Sequence, residues 1–88
     1  MARYHFNIRN GHGYTADDEG QDLASDDEAR LYAITGARSL LSAEVLEGML
    51  DLNGQIEVTD GGNAPIMAVR FAEAVNVLPM DQSGPTDR

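Results

Sequence analysis

Polar and apolar residues alternate strictly over residues 3–9, RYHFNIR. Tyr4, Phe6 and Ile8 fall on one side, and Arg3, His5, Asn7 and Arg9 on the other, which is the period of a half-buried strand. Asn10-Gly11-His12-Gly13 follows as a turn, because asparagine and glycine reach positive φ at little cost. The chain is expected to return as a short second strand from Tyr14 to about Asp18. With the loop over residues 10–13, His5 lies across from Asp18.

The period then changes from two to 3.6. Residues 25–48, SDDEARLYAITGARSLLSAEVLEG, form the only long helical pattern. Ser25 and Glu28 have the spacing of a capping box, in which the serine oxygen accepts from the Glu28 N–H and the glutamate reaches back to the serine N–H. Asp26, Asp27 and Glu28 put negative charge where the helix dipole favours it, and Gly48 supplies a left-handed stop. Steps of about 100° gather Ala33, Ile34, Ala37, Leu40, Leu41 and Val45 on one arc, with Ala29 and Gly36 at its margin. An alanine-rich arc lets a helix approach a sheet closely, and close packing is the expected reason for Gly36. Leu31, Tyr32 and Leu46 fall outside the arc. Scattered exposed apolar residues are normal, but three on one helix also make a candidate partner surface.

Alternation resumes after a connection over residues 49–54. Residues 55–59 form a third strand with Ile56 and Val58 inward and Glu57 and Thr59 outward. Asp60-Gly61-Gly62-Asn63 is a hairpin turn. Residues 65–71 form a fourth strand with Met67, Val69 and Phe71 on the core side and Arg70 on the other. Residues 72–78 begin as a helical turn and finish extended, with Val75 and Val77 covering an edge of the core. The pattern predicts an α+β, two-layer ββαββ domain: a four-stranded, mainly antiparallel sheet with one long helix on one face. Residues 1–78 are the single domain and residues 79–88 a disordered tail. The pattern leaves strand order open, and predicts a wet outer face carrying Arg3, His5, Asn7, Arg9, Glu57, Thr59 and Arg70.

Composition narrows what such a domain does. At 88 residues it is small enough for a homodimer to extend its core. It has no cysteine, which excludes disulfides, thiolate metal sites and cysteine catalysis. The net charge is −9 and every basic residue is an arginine, so general binding to nucleic-acid phosphates is not expected. No apolar run has the roughly 20 residues of a membrane span, and a cytoplasmic protein without membrane contact is expected.

Candidate chemistry is sparse. Asp17, Asp18, Glu19, Asp22, Asp26, Asp27 and Glu28 crowd one segment. The ordinary reading is a solvated connection, anchored by Leu23, that ends in a helix cap. The functional reading is a metal site or an anionic docking surface, the latter centred on Asp17, Asp18, Glu19 and Asp22. Neither DDEGQD nor DLNGQIE matches a calcium loop. His5, His12 and Asp18 would hold a metal only if they converge, and Arg3, Arg9 and Arg70 an anion on the same condition. No serine stands in a nucleophile elbow, and the paired glycines join strands rather than a strand and a helix. No catalytic residue, metal or cofactor is expected.

The order of these elements resembles a family of short, uncharacterised bacterial proteins, a domain of unknown function. The matching residues are Arg3, Tyr4 and Phe6; Asp18, Glu19, Gly20 and Leu23; Ala29, Ala33, Ala37 and Arg38; then Gly48, Asp51, Gly54, Ile56, Val58, Asp60, Phe71, Ala74 and Val75. The resemblance implies a free-standing domain and brings no activity, cofactor or functional residue. The expected function is a non-enzymatic, self-associating protein-interaction module. The alternative is an acidic inhibitor that imitates nucleic acid, of the antitoxin or defence-inhibitor kind.

Overall fold

A computed structural model of the chain describes residues 1–80. The sequence alternation becomes β1, Ala2–Asn10, which runs through the middle of the sheet. Its neighbour on one side is β4, Gln55–Asp60, which pairs in turn with β5, Pro65–Arg70. On its other side lie two short strands in line, β2, Gly13–Thr15, and β3, Gln21–Leu23. Every pairing is antiparallel. The long helix α1, Asp26–Leu46, crosses one face, and a single turn α2, Phe71–Ala74, follows β5. This is the α+β class expected, with strand order β2-β1-β4-β5 and β3 added beside β1.

The edge rank departs from expectation. Register between β1 and β2 pairs Asn10 with Gly13 and Ile8 with Thr15, the alignment that would bring His5 to Asp18. Pairing stops at Thr15 instead of continuing to Asp18. It resumes with Tyr4 opposite Gln21 and Ala2 opposite Leu23. The segment 16–20 therefore leaves the ladder as a strap, and a third short strand replaces what the sequence suggested was only a connection.

Both helix ends follow their local chemistry. Ser25 Oγ accepts from Glu28 N–H at 3.2 Å, but the Glu28 carboxylate takes the N–H of Ala24, at 3.1 Å, rather than that of Ser25. At the other end Gly48 has φ 83°. Gly48 N–H donates to Val45 O and Met49 N–H to Glu44 O, the two bonds of a Schellman stop.

Ala29, Ala33, Ala37 and Leu41, each four residues apart, form the buried stripe of α1. They meet Tyr4, Ile56, Val58, Val69, Phe71 and Ala74. Ile34 and Leu40 pack at the margin. Val45 and Val77, both placed on the core side by the sequence, are 58% and 57% exposed. Val45 lies in the last turn of α1, beyond the buried stripe that ends at Leu41. Close packing does not require Gly36: a methyl there would stand 3.6 Å from Ile56 Cδ1, an ordinary contact. The crowded glycine is Gly54, where a Cβ would meet Phe71 Cε2 at 2.5 Å and Arg9 O at 2.9 Å.

The β4–β5 turn also has its own logic. Asp60 Oδ1 accepts from Gly62 N–H and Ala64 N–H, both at 2.9 Å. The left-handed residue is Asn63, φ 70°, as in a type I turn closed by a bulge. The tail predicted over residues 79–88 falls largely on 81–88, which lie outside the described residues; 79 and 80 carry no regular structure.

Candidate functional site

The outer face of the sheet, away from α1, is only partly open. The strap lies against it, and Asp17 is its fixing point. One Asp17 carboxylate oxygen accepts from Phe6 N–H at 3.0 Å and the other from Gly20 N–H at 3.1 Å. Asp17 N–H donates to Asn7 Oδ1 at 2.8 Å. His5 Nδ1 donates to Asp17 O at 2.7 Å. A carbonyl can only accept, so Nδ1 carries a proton in this bond. Burial alone would raise the Asp17 pKa. The backbone N–H groups of Phe6, Gly20 and Glu19, with the nearby His5, outweigh it and hold the carboxyl below its ordinary value.

This closure corrects the expectation of a wet outer face at Asn7. Asn7 is only 4% exposed. Its amide also donates to Glu57 O at 3.2 Å, so the buried group is satisfied on both ends. Beside the strap is a cleft of about 420 Å³ that includes His5, Asn7, Tyr14, Asp17, Asp18 and Asn63.

Of the proposed metal residues, His5 and Asp18 share this cleft. His12 does not line it; it lies in the β1–β2 turn and acts electrostatically on Asp51. Among the described residues no group of three or more His, Asp or Glu side chains is arranged to hold a metal ion. The three arginines do not converge either. Arg3 pairs with Asp22 at 2.8 Å and Arg9 with Glu57 at 2.7 Å. Arg9 also stands 4.7 Å over the Tyr14 ring. The Glu57 pKa is lowered by its hydrogen bonds from Arg9 and Gln55.

The acids are largely committed to structure. Asp17 holds the strap, Asp22 pairs with Arg3, and Glu28 caps α1. Asp26 accepts from Tyr4 O–H at 2.7 Å, which raises the tyrosine pKa. Asp51 caps the Asn53 N–H, and Asp60 shapes its turn. Of the four anionic docking candidates, only Asp18 and Glu19 are left with side chains free of bonds or ion pairs among the described residues.

The apolar candidates do not form one surface. Tyr32 stacks its ring 4.6 Å from Phe6 and is half-exposed. Leu31 is exposed near it, whereas Leu46 belongs to the far end of α1, roughly 20 Å away at 1.5 Å rise per residue. Leu46 instead joins a run of exposed apolar residues with Val45, Met49 and Leu50. The sequence reading placed Val45 on the buried arc, Leu46 outside it, and Met49 and Leu50 in a connection.

The strand order exposes a feature that the sequence could not. Among the described residues β5 ends the sheet, with no strand beyond it. Beside it on the outer face runs a shallow trough of about 380 Å³, which Glu57, Thr59, Pro65, Ile66 and Ala68 help to line. No helix among the described residues is long and apolar enough to cross a membrane.

Residues 3–72 match a family described as a domain of unknown function, DUF6894, and the chain belongs to that family. No curated protein and no solved structure matches it.

Proposed function

We propose that this member of the family works through protein contacts rather than catalysis, as a self-associating module. The observation that carries this reading is the unequal treatment of the two sheet edges. An unpaired edge is a template for another chain. The β2/β3 edge is broken into two three-residue strands by the strap and is flanked by Asp18, Glu19 and Asp22. The β5 edge has no charged residue from Pro65 to Val69 and borders a trough. The commitment of His5 and most acids to local structure further supports a contact role over a chemical one.

Sedimentation velocity across a concentration series tests the reading. A sedimentation coefficient that rises with concentration toward the dimer value is the expected result. A monomer up to about 1 mM, the weakest range of specific affinity, would remove self-association from the proposal.

The alternative is the acidic mimic. Asp18 and Glu19 on the strap and Asp27 at the start of α1 are its available charges. Competition between this protein and duplex DNA for a basic nucleic-acid enzyme, lost in the Asp18→Asn/Glu19→Gln/Asp27→Asn variant, would favour it.

A further inference from the structure

The free edge of β5 can be read residue by residue. Phe71 N–H donates to Gly54 O at 2.9 Å, so these two residues form a hydrogen-bonded pair. Such pairs alternate with non-bonded ones along an antiparallel ladder. The register Ile56 with Val69 and Val58 with Met67 therefore turns the backbone groups of Val69 and Met67 toward β4. Those of Ala68 and Arg70 point off the sheet. The pairable stretch has definite limits. A bulge lies between the Val58–Met67 and Thr59–Pro65 pairs, and α2 begins at Phe71.

The charges add a second observation. Arg3, Arg9 and Arg30 each face an acid, and Arg38 donates to Ala74 O at 2.6 Å. Arg70 is exposed and has no acid partner among the described residues. Its register partner is Gln55, and that of Ala68 is Glu57, so all four lie on the outer face. Arg9 and Gln55 both donate to Glu57 Oε2. Glu57 Oε1 has no partner among the described residues, and it belongs to a trough-lining side chain.

We propose that a second copy of this chain adds to the sheet through β5, antiparallel, with Ala68 of each copy opposite Arg70 of the other. The two-fold axis then passes beside Val69, and the outward N–H and C=O groups of Ala68 and Arg70 find partners in both directions. Across this pairing Arg70, the partner's Ala68 and the partner's Glu57 fall in one rank on one face. Ala68 is the smallest side chain possible short of glycine. It leaves the arginine room to cross into the trough and reach the carboxylate oxygen that is still free. A larger residue at 68 would close that path. This inference depends on the self-association reading and specifies its surface.

Sedimentation equilibrium of the full chain and two variants tests it. Ala68→Pro removes an outward N–H only, and proline is tolerated at such an edge position. It is expected to leave the thermal transition near that of the parent while abolishing the dimer. Arg70→Glu sets like charges together and is expected to weaken the dimer by roughly tenfold or more, with the fold intact. If Ala68→Pro does not fold, Arg70→Glu alone decides the matter. A parent chain that stays monomeric overturns both this inference and self-association. A parent dimer that both variants preserve overturns the β5 pairing and leaves self-association standing at another surface, of which the Val45, Leu46, Met49 and Leu50 run is the first to test.

Discussion

The Asp17 carboxylate accepts the backbone N–H of Phe6 at 3.0 Å, so a side chain takes the place that a neighbouring strand would occupy. Among the described residues, the central strand β1 meets no backbone partner on this side between its pairings with β3 and β2. An unsatisfied N–H at that point would carry a desolvation cost, and Asp17 removes it while also binding Gly20 N–H. Replacing Asp17 with alanine orphans both donors. The expected loss is about 1–3 kcal/mol, measured as a lower urea midpoint with an unchanged slope. Asp17→Asn keeps one acceptor oxygen and should fall between the two.

The same carboxylate gives stability a dependence on pH. Its folded-state pKa lies below the ordinary 3.8, so the unfolded chain binds the proton more readily. The contribution is then complete above the unfolded pKa and disappears as pH falls through the folded value. Asp51 and Glu57 are lowered as well and act in the same direction. The difference in urea midpoint between the parent and Asp17→Ala is expected to be constant from pH 7 to pH 5. Below about pH 4 it should narrow. Using the difference cancels the general effect of neutralising an acidic surface, and a gap that stayed constant into strong acid would contradict the account.

Two glycines predict opposite outcomes for the same substitution. Gly36 lies within α1, and an added methyl meets only Ile56 Cδ1 at 3.6 Å. Gly36→Ala should therefore raise stability by about 0.5–1 kcal/mol through helix propensity alone, read as a higher thermal midpoint.

Gly54 precedes β4, and its hydrogen faces the Phe71 ring and the Arg9 carbonyl. Gly54→Ala forces a fully buried phenylalanine out of its place and is expected to cost about 1–3 kcal/mol. It should also broaden the Phe71 ring signals in NMR spectra.

Arg38 holds α2 by its bond to the Ala74 carbonyl. Arg38→Met keeps much of the aliphatic stem and removes the charged donor. The expected loss is about 1.5–3 kcal/mol, with hydrogen exchange accelerating first over residues 71–75, since the turn depends on this contact.

Local chemistry made most of the elements legible. The two-residue alternation from Arg3 to Arg9 determined β1, because successive side chains of a strand must point to opposite faces. Ser25 and Gly48 bounded α1, because orphan N–H groups and a left-handed stop are satisfied within a few residues of sequence. The inward sets of Ile56 and Val58, and of Met67 and Val69, followed in the same way. The helical turn before residue 75 was likewise within reach of the pattern.

What only the tertiary structure decided depends on groups distant in the chain. Asp17 looked like one acid among seven, because nothing local reveals that its carboxylate will meet the N–H of Phe6 while its own backbone N–H meets the amide oxygen of Asn7. Asn7 read as a wet strand residue until the strap covered it. Val45 shared the apolar arc of α1, yet the buried stripe of the helix ends at Leu41. Strand order left no trace in the pattern, since hydrophobic alternation states which face of a strand is buried and not which strand lies beside it. The free edge at β5, with Arg70 and Ala68 on it, exists only because β1 and β4 pair across a sequence separation that no local preference encodes.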